Sequence, residues 1–215
     1  MSSSSTKNPW LEIPASDYEA HMSSPQVGQL QMLNEIFKDT VNRLQPISLC
    51  VLGCTTGNGF EHIDWTKTKR LAAIDINQEY LNIAKERFYD DSVDIEFRCV
   101  DVNSSAIGKN EFDLVHAALF FEYVDVESVL IKIFNALVKE GILSVVLQQP
   151  DEEHSAVTKT EFTSLEKLAP IMKLVEKEEF KKAAERTGLL EIESSNLELK
   201  SIKKFYIGKF IKLSS

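Results

Sequence analysis

The chain has 215 residues, of which 43% are hydrophobic and 27% charged, so one globular domain with a sizeable core is expected. A formal net charge of -9 repels a phosphate backbone and disfavours nucleic acid as a substrate. No apolar run approaches membrane-spanning length, and "MSSSSTKN" lacks a signal peptide's apolar core, so the reading is a cytoplasmic protein without a membrane partner.

Residues 1–8 are Ser-rich and read as a disordered tail. Residues 9–46 read as an N-terminal helical cap, irregular and aromatic up to Met22. Ser24-Pro25 then has the form of a helix start, with Ser as N-cap and Pro at the first helical position. Val27, Leu30, Leu33, Ile36, Phe37, Val41 and Leu44 follow at helical spacing until Pro46 stops the pattern.

From residue 47 to 215 the pattern alternates between strand and helix. Strands are expected at Ile47–Leu52, Leu71–Ile74, Ile95–Val100, Phe112–Ala117 and Ile142–Leu147. Helices are expected from Gly59 to Trp65, Gln78 to Tyr89, Val126 to Val138 with Gly141 as C-cap, and Glu178 to Thr187 ended by Gly188. Runs such as "ILSVVL" are apolar throughout, as in parallel strands buried on both faces. "LLEIESSNLEL" and "KKFYIGKFIKL" have no helix between them and read as an antiparallel pair at the sheet edge. The polar stretch from Gln149 to Val175 reads as an insert.

Within "SLCVLGCTTGNGFEHID" an apolar strand runs into a glycine-rich turn, which usually means that a ligand approaches the backbone. Ligands of such sheets lie beyond the carboxyl ends of the strands. Those ends supply the turn from Gly53 to Gly59, then Asp75, Asp101, His116 with Ala117, and Gln148 with Gln149. Asp75 follows the turn by about twenty residues, where a carboxylate suits a pair of ribose hydroxyls. The dinucleotide fingerprint fails, because Gly57 and Gly59 are followed by His62 where a third glycine belongs, and counting from Gly53 meets Thr55. No Gly-Lys-Ser or Gly-Lys-Thr makes a phosphate loop.

The pieces "VLGCTTGNG", "LAAIDINQEYLNIAKERF", "IEFRCVDVN", "FDLVHAALFFEYVD" and "ALVKEGILSVVLQ" appear in one order and spacing. From about Ile47 to Leu213 the chain resembles the class I S-adenosylmethionine-dependent methyltransferase family. The resemblance implies a Rossmann-like, doubly wound, seven-stranded, mostly parallel sheet with an antiparallel C-terminal strand pair. It implies S-adenosyl-L-methionine as cofactor and methyl transfer to an acceptor. Carried over, Gly53, Cys54, Thr55 and Gly57 form the turn beneath the cofactor's methionine part. Asp75 holds the ribose, Ile76 packs on the adenine, and Asp101 faces the adenine amino group beside Val102. His116 and Ala117 lie near the sulfur end, and His116 is the candidate base. Two positions depart from the family: Val51 replaces an acidic residue and Thr55 replaces a glycine. They motivate the alternative of a catalytically inactive, methyltransferase-like interaction protein.

Tyr18, His21, Gln148 and Gln149 are the candidate substrate contacts. "FFEYVD" from Phe120 reads chiefly as packing for the helix after it. The acidic surface and the insert suggest an oxygen or nitrogen acceptor on a small molecule rather than protein or nucleic acid. No metal is expected: Cys50 and Cys54 lack further ligands nearby, and Glu152, Glu153 and His154 read as a solvated loop. The three cysteines, Cys50, Cys54 and Cys99, read as buried free thiols.

Overall fold

The computed structural model describes residues 8–151, 155–199 and 203–213. The tail expected at 1–8 therefore lies outside the description except for Asn8, and so does the loop reading of Glu152, Glu153 and His154.

Seven strands form one sheet: β1 (Ser48–Leu52), β2 (Arg70–Asp75), β3 (Asp94–Cys99), β4 (Phe112–Ala118), β5 (Leu137–Gln148), β6 (Leu189–Glu198) and β7 (Lys204–Lys212). Their order is β3-β2-β1-β4-β5-β7-β6. The first five pair in parallel, and β7 pairs antiparallel with both β5 and β6. This is the expected Rossmann-like topology. The order reverses between β1 and β4, and a crevice opens there beyond the strand ends.

Helices α2 (Gln29–Leu44) and α3 (Gln78–Phe88) cover one face of the sheet, where Phe37, Val41 and Leu81 meet Leu49, Val51, Leu71 and Leu114. Helices α4 (Val126–Ala136) and α5 (Lys177–Thr187) cover the other, where Val129, Ile133 and Phe180 meet Cys50, Leu52, Val115 and Ala117. The side chains of β1 alternate between the two cores at the two-residue period of a strand. Among the described residues, no helix is long and apolar enough to cross a membrane.

Four local expectations need correction. Ser24-Pro25 ends a helix instead of starting one. Helix α1 (Ala15–Ser23) precedes it, and Ser24 donates its hydroxyl to the His21 carbonyl at 2.8 Å, so the same small hydroxyl caps a C-terminus. Helix α2 starts four residues later, after Gly28 in the left-handed region at φ 63°. The segment from Gly59 to Trp65 makes only a 3-10 turn, Phe60–His62, because its buried Phe60 and Ile63 lie three apart and no longer apolar stripe exists to hold an α-helix. Gly141 caps no helix: α4 stops at Ala136 and Gly141 lies within β5. Of the three free thiols, Cys50 and Cys54 are buried but Cys99 is exposed.

Candidate cofactor and acceptor site

Beyond the ends of β1, β2, β4 and β5 lies a cavity of about 1100 Å³ including its open mouth. The sheet supplies its floor. Its roof comes from two segments far apart in sequence: residues 8–29, and the stretch from Ala156 to Met172. Ser164 donates to Asp17 at 2.6 Å, Thr160 bonds His21 Nδ1 at 2.9 Å, and Lys167 pairs with Glu12 at 3.1 Å, so the two roof segments are tied together. A second tie fastens α1 to the glycine turn. Glu19 accepts the Thr56 hydroxyl at 2.5 Å and takes both guanidinium nitrogens of Arg87.

Asp75 is the chemical centre of one end. Strand β2 delivers it to the crevice, where it is 7% exposed. Its Oδ2 accepts the Thr55 amide at 2.9 Å and its Oδ1 the Asn77 amide at 2.8 Å. A carboxylate has about four acceptor sites, so capacity for hydroxyl donors remains. Burial pushes its carboxyl up to about 6, against the pull of those amides. Ile76, Val102 and Asp101 also line this end, and Asp101 turns the chain by accepting the Asn103 amide at 2.9 Å. Trp10 joins them from the roof, its carbonyl accepting from Asn77 Nδ2 at 2.9 Å and its ring edge-on to Tyr123 at 5.1 Å.

The glycine turn meets the cavity through Gly53 and Thr55 only. Gly53 has φ 64°, and a Cβ on it would stand 2.9 Å from the Phe120 ring. Cys54 points into the core under α2 instead. Gly57 faces away, with φ 86° and the Phe88 ring 2.8 Å from where a Cβ would be. Thr55 keeps the left-handed backbone of the glycine it stands in for, at φ 47°.

His116 and Ala117 do not reach the cavity. Strand β4 continues to Ala118, so the lining comes from Ala118, Leu119 and Phe120. His116 sits on the α2 face, edge-on to Phe37 at 5.2 Å and with Nδ1 3.1 Å from Ser144 Oγ. It is 3% exposed, and burial lowers its pKa to about 4. It is a neutral core histidine and cannot serve as the base. Gln149 is also off the wall: its side chain accepts the Lys177 amide at 3.2 Å and reaches the Val175 carbonyl, joining the insert to α5.

Tyr18, His21 and Gln148 do line the cavity. Tyr18 is 8% exposed, and burial raises its hydroxyl to about 12. His21 lies lower than an ordinary histidine, through burial and the charge of Lys203. Gln148 is clamped: its amide nitrogen donates to Glu122 Oε1 at 2.9 Å and its side chain to the Ala156 carbonyl at 3.0 Å. Sequence reasoning missed Gln29 and Lys203, which also line this end, and Glu122 behind it. "FFEYVD" divides: Phe120, Tyr123 and Val124 face the cavity, while Phe121 and Glu122 face the protein.

The residues at the β2 and β3 ends fit a nucleoside, with a buried carboxylate for hydroxyls and flanking apolar side chains for a base. Comparison with known proteins bears on which one. Residues 50–145 match the family model described as a methyltransferase domain. That segment of the chain is similar to a methyltransferase domain. The chain's fold is shared with an S-adenosylmethionine-dependent methyltransferase from Mesorhizobium loti, at TM-score 0.65 and 14% identity over 82% of this chain and 96% of that one. A methyltransferase from Methanosarcina mazei gives 0.59 and 15%, over 78% and 93%. The cyclase SpnF gives 0.69 and 14%, over 86% and 82%. No curated protein sequence matches the chain. The glycine turn, Asp75 and Asp101 all lie inside the matched span, whereas the roof and Lys203 lie outside it.

Proposed function

We propose that the protein transfers a methyl group from S-adenosylmethionine to an oxygen or nitrogen of a small-molecule acceptor. The observation that carries this reading is Asp75: a buried carboxylate at the end of β2, held by backbone amides, facing the cavity and lying within the span that matches a methyltransferase domain. In this reading Asp75 receives the ribose hydroxyls, Ile76 and Val102 enclose the adenine, and Asp101 meets its amino group. Gly53 and Thr55 face the methionine part. The cofactor supplies an already electrophilic methyl group. The chain's own work is to align the acceptor and keep water out, which the double roof of residues 8–29 and 156–172 is placed to do. With His116 in the core, His21 is, among the described residues, the imidazole that lines the cavity and can take the acceptor's proton, and its lowered pKa keeps it neutral near pH 7. The free thiols support a cytoplasmic setting.

A second reading has a specific observation behind it. The Phe120 ring lies against Gly53, and Val51 and Thr55 depart from the family pattern. A methyltransferase-like interaction protein with no cofactor would tolerate all three. Calorimetric titration with S-adenosylmethionine and S-adenosylhomocysteine decides between the two. Micromolar binding by the wild type, lost in Asp75→Ala, is the expected result. Folded protein that binds neither compound overturns the enzyme reading.

A further inference from the structure

The cavity has opposite charges at its two ends. Asp75 and Asp101 stand at the β2 and β3 side. Lys203 stands just before β7, on the far side of β1, β4 and β5. Strands lie roughly 4.8 Å apart, so four strand spacings put β7 about 19 Å from β2. A nucleoside held at Asp75 therefore leaves the Lys203 end to another group.

Lys203 is 7% exposed and lines the cavity. Its ammonium donates to the Ala156 carbonyl at 2.6 Å and lies 3.5 Å from Gln148 Oε1. Both acceptors are neutral, and among the described residues no carboxylate forms an ion pair with it. A buried cation is costly unless an anion or several good acceptors meet it. Among the described residues, two acceptors leave one of its three N–H groups without a partner. Around it stand further uncharged hydrogen-bonding groups: Gln29, whose amide nitrogen is 3.4 Å from Gln148 Oε1, together with His21 and Thr158. Near the start of β7 the wall turns apolar, where Leu33 and Leu119 line the cavity and pack in one cluster with Phe205. Burial brings the Lys203 ammonium down to about 8, so it is still charged at neutral pH and an arriving anion would restore it.

We propose that the methyl acceptor carries a carboxylate, received by Lys203 in the corner formed by Gln148 and Gln29, with its apolar body against Leu33 and Leu119. This deepens the methyltransferase reading and rests on it. The reacting oxygen or nitrogen would lie between that corner and Gly53. Its lone pair forms the new bond to the methyl carbon as the carbon–sulfur bond breaks, the bonding electrons return to sulfur, and the released proton passes to His21 or solvent.

The test starts from protein shown by calorimetry to bind S-adenosylhomocysteine, so a failure of the cofactor reading is detected before the acceptor is tried. Matched pairs of amino and phenolic carboxylic acids and their carboxamides are then offered with S-adenosylmethionine, and release of S-adenosylhomocysteine is measured. The expected result is that acids are preferred to their amides by tenfold or more in kcat/KM. Lys203→Met should erase that preference through KM, Lys203→Arg should retain most of it, and both should bind S-adenosylhomocysteine within threefold of wild type. If Lys203→Met loses S-adenosylhomocysteine instead, Lys203 holds the cofactor's own carboxylate and the proposal is overturned. It is equally overturned if amides match acids, or if no acid is methylated by protein that binds the cofactor.

Discussion

Asp75 and Thr55 are joined by a 2.9 Å hydrogen bond from the Thr55 amide to Asp75 Oδ2, which locks the end of β2 to the turn after β1. The bond places a carboxylate against the backbone of the glycine turn, with one side in the protein and one in the cavity. A consequence is a pH-dependent affinity. The free protein holds this carboxyl up at about 6 because it is buried. Hydroxyl donors favour its ionised form, so a bound ribose would pull its pKa down. Affinity for S-adenosylhomocysteine is therefore expected to be flat above about pH 7 and to weaken as pH falls through 6, by up to tenfold per pH unit. Calorimetry from pH 5 to 8 reads this directly. Asp75→Asn should bind more weakly throughout and lose the slope. A slope that survives in Asp75→Asn belongs to another group.

The turn itself offers a stability test at two residues with the same backbone sign and opposite surroundings. Thr55 is β-branched yet sits at φ 47°, a conformation that costs an L-residue roughly 1–2 kcal/mol. Glycine removes that cost but gives up side-chain contacts and adds freedom to the unfolded chain. Thr55→Gly is expected to stabilise by about 1 kcal/mol. Gly57 has φ 86° and is packed by Phe88 and Phe60, whose ring atoms come within 3.0 Å of where a Cβ would stand. Gly57→Ala should cost more than about 2 kcal/mol, through backbone strain and overpacking together. Urea melts of the two variants should move in opposite directions. A loss of stability in Thr55→Gly would show that the threonine side chain is worth more than the strain it carries.

What the sequence reveals about this site follows the range of the forces involved. Asp75 is readable because an apolar strand ends on it, and strand ends are local features. Helix α1 is less readable, although Ala15, Tyr18 and Met22 carry helical spacing, because Tyr18 and His21 are polar types that only the roof contacts bury. His116 shows how one step of register matters. Leu114, His116 and Ala118 share a face of β4, and Leu114 lies in the core under α2, so the alternation already points His116 at Phe37. Lys203, Gln29 and Glu122 have no local signature. Their burial depends on partners as far away as residues 148 and 156, which only the closed fold brings to them.

Glu122 provides the last prediction. It is 1% exposed, Oε1 accepts the Gln148 amide, and Oε2 is buried with no partner among the described residues. Burial raises its pKa from 4.5 to about 7. A carboxyl whose folded pKa lies above its unfolded value stabilises the fold fully below the unfolded pKa, and that stability is lost as pH rises through the folded pKa. The window here runs from about 4.5 to 7, and the loss is on the order of 3 kcal/mol once it is complete. Glu122→Gln keeps the acceptor for Gln148 and removes the charge. Its stability relative to wild type should therefore grow from pH 5 to pH 7 and level off near pH 8. The unpaired amide protons add a cost that does not vary with pH, so the change with pH is the informative quantity. Asp75 titrates in the same range but is present in both proteins and cancels in the difference. Urea melts at pH 5, 6, 7 and 8 measure it, and a difference that stays flat or shrinks across that series would mean Glu122 finds its proton or its partner elsewhere.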